Sequence, residues 1–127
     1  MTEGKGRVLI AEDNEDIRDI VEAIFMARGD HVTLARDGEE AWKLYQEQKG
    51  ELSVLLTDFG MPKMTGDELI RRVKQDNPNF PIVLYTAGEE NIKRAKEAGA
   101  DYVLEKPFEN KVLAETVRKA IDDKKQE

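Results

Sequence analysis

Three carboxylates, a hydroxyl and an ammonium stand at the ends of separate apolar runs in this chain. Glu12 and Asp13 follow the run 7–11, Asp58 follows 52–57, Thr86 follows 81–85, and Lys106 follows 101–105. Together they suit a divalent cation and a phosphoryl group. Magnesium favours carboxylate oxygens and keeps part of its water. A carboxylate can attack phosphorus, while an ammonium neutralises phosphoryl oxygens as a point charge and a hydroxyl donates to them. Three close anions repel one another, so without a cation at least one carboxyl should hold its proton more tightly than usual. Each residue also has a plainer use. Asp58 can cap a loop, the acids at 12 and 13 can face a helix N-terminus, Thr86 can cap the next helix, and Lys106 can sit in water. The plain uses lose their appeal when all five reach one place.

Convergence needs parallel strands, and the chain alternates strand and helix signals five times. After 7–11, the residues Ile17, Ile20, Val21, Ile24 and Phe25 keep helical spacing. Asn14 can cap that helix and Gly29 can stop it. The segment 31–35 alternates as a strand beginning at His31, Asp37-Gly38 turns the chain, and Ala41, Trp42, Leu44 and Tyr45 give a second helix its apolar side. The run 52–57 is nearly all apolar, as a central strand covered on both faces should be.

Thr65 and Glu68 fit a capping box at the start of a third helix, with Leu69, Ile70 and Val73 on its buried side and Asn77-Pro78 at its end. A fourth helix over about 89–98 has Ile92 as its one large apolar anchor, helped by Ala95 and Ala98, which implies low local stability. A last helix uses Val112, Leu113, Val117, Ala120 and Ile121, and the charged tail 122–127 is expected to fray. Five βα units imply right-handed crossovers and a parallel sheet with helices on both faces. The sites of such sheets lie at the strands' C-terminal edge. The reading is one α/β domain over 1–127 with a folded core of about 6–122.

Taken together, Glu12-Asp13, Asp58 with Met61-Pro62 and Gly66, Thr86-Ala87 and Lys106-Pro107-Phe108 resemble the receiver domain of two-component response regulators, in order and over almost the whole chain. The resemblance implies a doubly wound, five-stranded flavodoxin-like (βα)5 fold with strand order 2-1-3-4-5. It implies that Asp58 accepts a phosphoryl group from the phosphohistidine of a histidine kinase or phosphotransfer protein. Asp13, Asp58 and the main-chain carbonyl of Gly60 would ligate Mg2+, with Glu12 acting through water; Mn2+ or Ca2+ would substitute. Thr86 and Lys106 would bind the phosphoryl oxygens, and the bond before Pro107 would be cis. Tyr102 would be the switch aromatic that turns inward when Thr86 moves. The surface of the fourth helix, fifth strand and fifth helix would then signal to a downstream protein or a fused output domain. Self-phosphorylation and autodephosphorylation, rather than turnover of external substrates, would be its chemistry. The sequence departs from the family pattern at Thr65, where aspartate is common, and has side-chain-free Gly60 and Gly88 at positions that tune phosphoryl loss.

Composition agrees. With 27 acidic against 20 basic residues the formal charge is −7, the wrong sign for a nucleic-acid surface. The absence of cysteine removes disulfides and thiolate metal sites, and the lone histidine, His31, excludes a multi-histidine centre. No apolar stretch approaches the roughly 20 residues that span a bilayer, and the polar N-terminus is no signal peptide, so the expectation is a cytoplasmic protein. Exposed charges at Lys93, Arg94, Lys96 and Glu97 go with a monomer or weak dimer.

Rival readings fare worse. A phosphohydrolase of the haloacid dehalogenase type wants a second aspartate where Gly60 stands. A flavodoxin-like cofactor binder wants a phosphate loop where residues 12–16 are Glu-Asp-Asn-Glu-Asp. A non-phosphorylated interaction module would have no use for an intact pocket.

Overall fold

Alternating apolar runs and amphipathic helices resolve into five βα units in the computed structural model, which describes residues 6–125. The order is β1 Arg7–Ala11, α1 Glu15–Ala27, β2 His31–Ala35, α2 Gly38–Gln48, β3 Val54–Asp58, α3 Gly66–Asp76, β4 Ile82–Thr86, α4 Glu89–Ala98, β5 Tyr102–Glu105 and α5 Asn110–Lys125. All strand pairs are parallel, in the order β2-β1-β3-β4-β5. Reversal of strand order between β1 and β3 opens a crevice at the C-terminal edge, and that crevice receives the site.

Side chains alternate across the sheet, so each strand feeds two cores. Leu9, Leu55, Ile82 and Leu84 pack against α2, α3 and α4 through Ala41, Tyr45, Leu69, Ile70, Val73 and Ala95. Val8, Ile10, Val54, Leu56, Val83 and Tyr85 pack against α1 and α5 through Val21, Phe25, Leu113, Val117 and Ile121. Burial on both faces explains why β1, β3 and β4 read as continuous apolar runs.

Local signals place most boundaries. Asn14 accepts the Ile17 N–H at 3.0 Å as the α1 cap, and Gly29, at φ 90°, follows the helix. Asp37 does more than turn the chain: its carboxylate caps α2 by accepting the Glu40 N–H at 2.7 Å. Several expectations need correcting. Thr65 is the α3 N-cap residue but makes no side-chain capping bond, and Glu68 pairs with Arg72 instead, so the capping box is not formed. Ile20 and Val112 are exposed, at 54% and 38%, because they fall outside the buried stripes of their helices; Ala114, not Val112, belongs to the α5 core face. Ile92 is only half-buried, and α4 is anchored by Ala95 and Ala98. Residues 122–125 continue α5 rather than fray, with Asp123 bonded to Tyr102; the expectation for 126–127 lies outside the described residues.

The loop from β3 to α3 is closed by one tight approach. The Gly66 N–H donates to the Phe59 carbonyl at 2.7 Å, and a Cβ at Gly66 would stand 2.3 Å from the Asp58 carbonyl oxygen. Gly66→Ala is therefore expected to destabilise the protein by about 1–3 kcal/mol, the usual cost of overpacking, measured by urea unfolding. It should also shift the backbone amide resonances of Asp58 and Phe59.

Candidate acidic phosphoacceptor site

β1 and β3 carry the acids to one edge. Glu12, Asp13 and Asp58 each present a carboxylate oxygen, and these atoms lie within 4.8 Å of one another. Asp13 is exposed, Asp58 half-buried, and Glu12 only 1% exposed. Asp58 Oδ1 accepts the Phe59 N–H at 2.8 Å, and the Thr57 hydroxyl donates to the Asp58 carbonyl at 2.8 Å, so the residue is held at both ends.

Lys106 arrives from the end of β5. Its N–H donates to the Thr86 carbonyl at 2.8 Å, and its Nζ lies 3.6 Å from Asp58 Oδ1. The Lys106-Pro107 bond is cis. Thr86 is buried at the end of β4 and does not cap α4, whose N-cap is Gly88. Its hydroxyl is loosely engaged, with the Ala87 carbonyl at 3.5 Å and the Asn91 amide nitrogen at 3.4 Å. Gly60 is exposed, and a Cβ there would meet nothing within 4 Å, as at Gly88. The rim is correspondingly open.

Sheet alternation decides which groups share a side. Ile10, Leu56, Tyr85 and Leu104 lie on the α1/α5 face, so Glu12, Asp58 and Lys106, each two residues beyond such a position, continue that face. Thr86 follows Leu84 on the other face, where Val103 also packs. Tyr102 therefore does not stand where a switch aromatic answering Thr86 was expected. Its ring packs on the α1/α5 side, beneath Lys119, and its hydroxyl donates to Asp123 of α5. One residue of strand register separates the two placements, and the apolar β5 residue on Thr86's face is Val103, followed there by Glu105, the register partner of Thr86.

Sequence reasoning also missed two groups. Tyr85 donates its hydroxyl to Glu12 Oε1 at 2.5 Å. A tyrosine inside a buried central strand must find a partner for its hydroxyl, and that signal was available. Asp67, fully buried at the start of α3, accepts from Arg71 at 3.0 Å and from Arg94 of α4 at 3.1 Å. Arg94, expected to be a free surface charge, thus ties α4 to α3, with its guanidinium 5.4 Å from the Phe59 ring centroid.

Residues 8–118 match the response regulator receiver domain. The chain belongs to that family. It is 32% identical over 114 residues to a chemotaxis protein CheY homolog of Campylobacter jejuni, covering 86% of this chain and 87% of the relative. Among solved structures it resembles a response regulator receiver domain protein from Clostridium thermocellum, with a TM-score of 0.89 and 25% identity over 95% of this chain and 98% of that one. It also resembles the signal receiver domain of a signal transduction histidine kinase from Syntrophus aciditrophicus, with a TM-score of 0.85 and 28% identity over 93% and 91%. No helix among the described residues of this receiver is long and apolar enough to cross a membrane.

The electrostatics of the receiver's pocket suit a divalent cation. Burial pushes the Asp58 carboxyl above the ordinary aspartate range; Lys106 and the Phe59 N–H pull it back only in part, and Asp13 adds to the rise. Burial raises Glu12 as well, against the Tyr85 hydroxyl and the Asn14 N–H, with Asp58 adding to the rise. Carboxylates crowded into one place and short of positive charge form an oxygen donor set of the kind magnesium takes. Both carboxyls hold protons more tightly folded than unfolded. Their ionisation therefore costs stability as pH rises from the ordinary carboxyl range through the raised values. Asp58→Asn should accordingly raise the melting midpoint at pH 7 by a few degrees, a gain that shrinks towards pH 4 (approximately the carboxyl range). Millimolar magnesium should raise the parent's midpoint more than the variant's, by ligand linkage. Scanning calorimetry with and without the metal checks both.

Proposed function

We propose that this receiver is the phosphoacceptor of a two-component phosphorelay, with Asp58 as the residue that is phosphorylated. The observation that carries the reading is the position of the Asp58 carboxylate, beside the Glu12 and Asp13 oxygens and 3.6 Å from the Lys106 ammonium. Asp13, Asp58 and the Gly60 carbonyl would hold Mg2+ directly, and Glu12 through water. When bound, the cation neutralises the crowded acids and withdraws charge from phosphoryl oxygens.

The chain's own residues supply the rest. An Asp58 oxygen attacks the phosphorus of a phosphohistidine on a kinase or phosphotransfer protein. The P–N bond breaks, the imidazole leaves, and an acyl phosphate remains on Asp58. Lys106 meets the charge on the transferring oxygens. The loosely held Thr86 hydroxyl is free to turn from Ala87 and donate to the new group. The acyl phosphate brings additional negative charge, and α4, fixed by two alanines and the Arg94–Asp67 pair, is the element that yields most cheaply. The α4–β5–α5 surface would then be read by a downstream protein or a fused output domain, since only a partner that prefers the phosphorylated state can use the change. The open rim at Gly60 and Gly88 leaves room for attacking water. The proposed chemistry is transfer to and loss from Asp58 in the cytoplasm, not turnover of external substrates.

Acetyl phosphate with magnesium should add one phosphoryl mass to the protein, lost on hydroxylamine treatment. Asp58→Asn should abolish the gain, and a gain that persists in that variant would overturn the assignment. Lys106→Ala should slow labelling by about 10²-fold, the scale of losing one charge-stabilising donor.

A further inference from the structure

We propose that Tyr85 is a positioning residue of this pocket: its hydroxyl sets the Glu12 carboxylate for the divalent cation, and its ring seats the Lys106 ammonium. The inference rests on the phosphoacceptor reading for its purpose, but its geometry stands apart from that reading.

Glu12 is held from four directions. Its N–H donates to the Ala35 carbonyl at 3.1 Å and its carbonyl accepts from Arg18 Nη1 at 2.9 Å. Its Oε2 accepts the Asn14 N–H at 3.0 Å, and its Oε1 accepts the Tyr85 hydroxyl at 2.5 Å. The last contact is the long-range one for the side chain. β3 lies between β1 and β4, and Tyr85 is the register partner of Asp58, so its side chain reaches past the phosphoacceptor to the acid two strands away. Both Tyr85 and Glu12 are 1% exposed. A donor on each oxygen fixes the plane of the carboxylate and leaves lone-pair capacity on both oxygens for water or a cation.

The same ring serves a second group. Lys106 Nζ lies 5.2 Å from the Tyr85 ring centroid, within the range of a cation–π contact, and Phe108 packs beside the ring with centroids 5.8 Å apart. One residue of β4 thus touches a metal-facing acid and the phosphoryl-facing cation. Without the hydroxyl, Glu12 Oε1 loses this donor and the side chain is held by Asn14 alone.

Tyr85→Phe keeps the ring and removes the donor. Isothermal titration calorimetry with magnesium chloride should show binding weakened about ten-fold, the lower end of what losing an outer partner costs a metal site. In acetyl phosphate labelling, the half-saturating magnesium concentration should rise by the same factor, with most of the rate recovered at saturating metal. Tyr85→Leu, which also lacks the ring, should in addition slow labelling at saturating magnesium. Parental magnesium affinity in a Tyr85→Phe protein with a lowered melting midpoint would make Tyr85 a packing residue and overturn the inference. Glu12→Asp supplies an arm that does not depend on the phenylalanine variant. Its shorter side chain withdraws from the hydroxyl, so it should bind magnesium about as weakly as Tyr85→Phe, and parental affinity there would equally count against the inference. Combining the two should add little to either, whereas full additivity would show that Tyr85 does not act through Glu12. A parent that binds magnesium but takes no label would defeat the phosphoacceptor reading while leaving this one standing.

Discussion

Mutual repulsion of three carboxylates is the constraint around which this molecule is built. Glu12, Asp13 and Asp58 would separate if the chain allowed it, and the sheet does not allow it. β1 and β3 are neighbours in parallel register, Val8 opposite Val54 and Ala11 opposite Thr57, so the acids must emerge side by side. The apolar cores on both faces hold that register, since a slip of one residue would exchange the two cores. Hydrophobic burial thus keeps like charges together, and that same burial, with a smaller addition from the neighbouring acids, makes Asp58 and Glu12 resist ionisation.

Relief comes from a small number of groups drawn from other strands. Lys106 supplies a charge, Tyr85 and two backbone N–H groups supply donors, and Thr86 waits at the edge of β4 with its hydroxyl weakly engaged. Alternation divides this labour by face. Glu12, Asp58, Lys106 and Tyr85 stand on the α1/α5 side, while Thr86 and Val103 stand on the side of α4. Tyr85 and Thr86, consecutive residues of β4, thus stand on opposite sides of the sheet.

Much of this was legible in the residues. Strand ends were readable because β1, β3 and β4 are apolar on both faces, and the acids and Lys106 were readable as polar residues placed directly after them. Helix margins were less so, because Ile20, Ile92 and Val112 have the right character and the wrong angle, and a helical stripe does not reveal its own edge. The capping box failed because Glu68 had a competing partner in Arg72, one turn along the same helix. Tyr102 was misplaced by parity alone: in a four-residue strand, one step moves a side chain to the other face. Pairs such as Tyr85–Glu12 and Arg94–Asp67 join residues 73 and 27 apart, and only the folded chain shows which of many polar candidates meet.

The double pairing of Asp67 has a mechanical meaning. A wholly buried acid that loses its only counter-charge leaves an ion stranded in a low-dielectric interior, at severe cost. Here Arg71 belongs to the same helix as Asp67 and stays with it, while Arg94 belongs to α4. If α4 moves away, Arg94 departs but the acid keeps one guanidinium. The Arg94 pairing can thus be broken without stranding the acid: it ties α4 to α3 but is not a condition of burying Asp67.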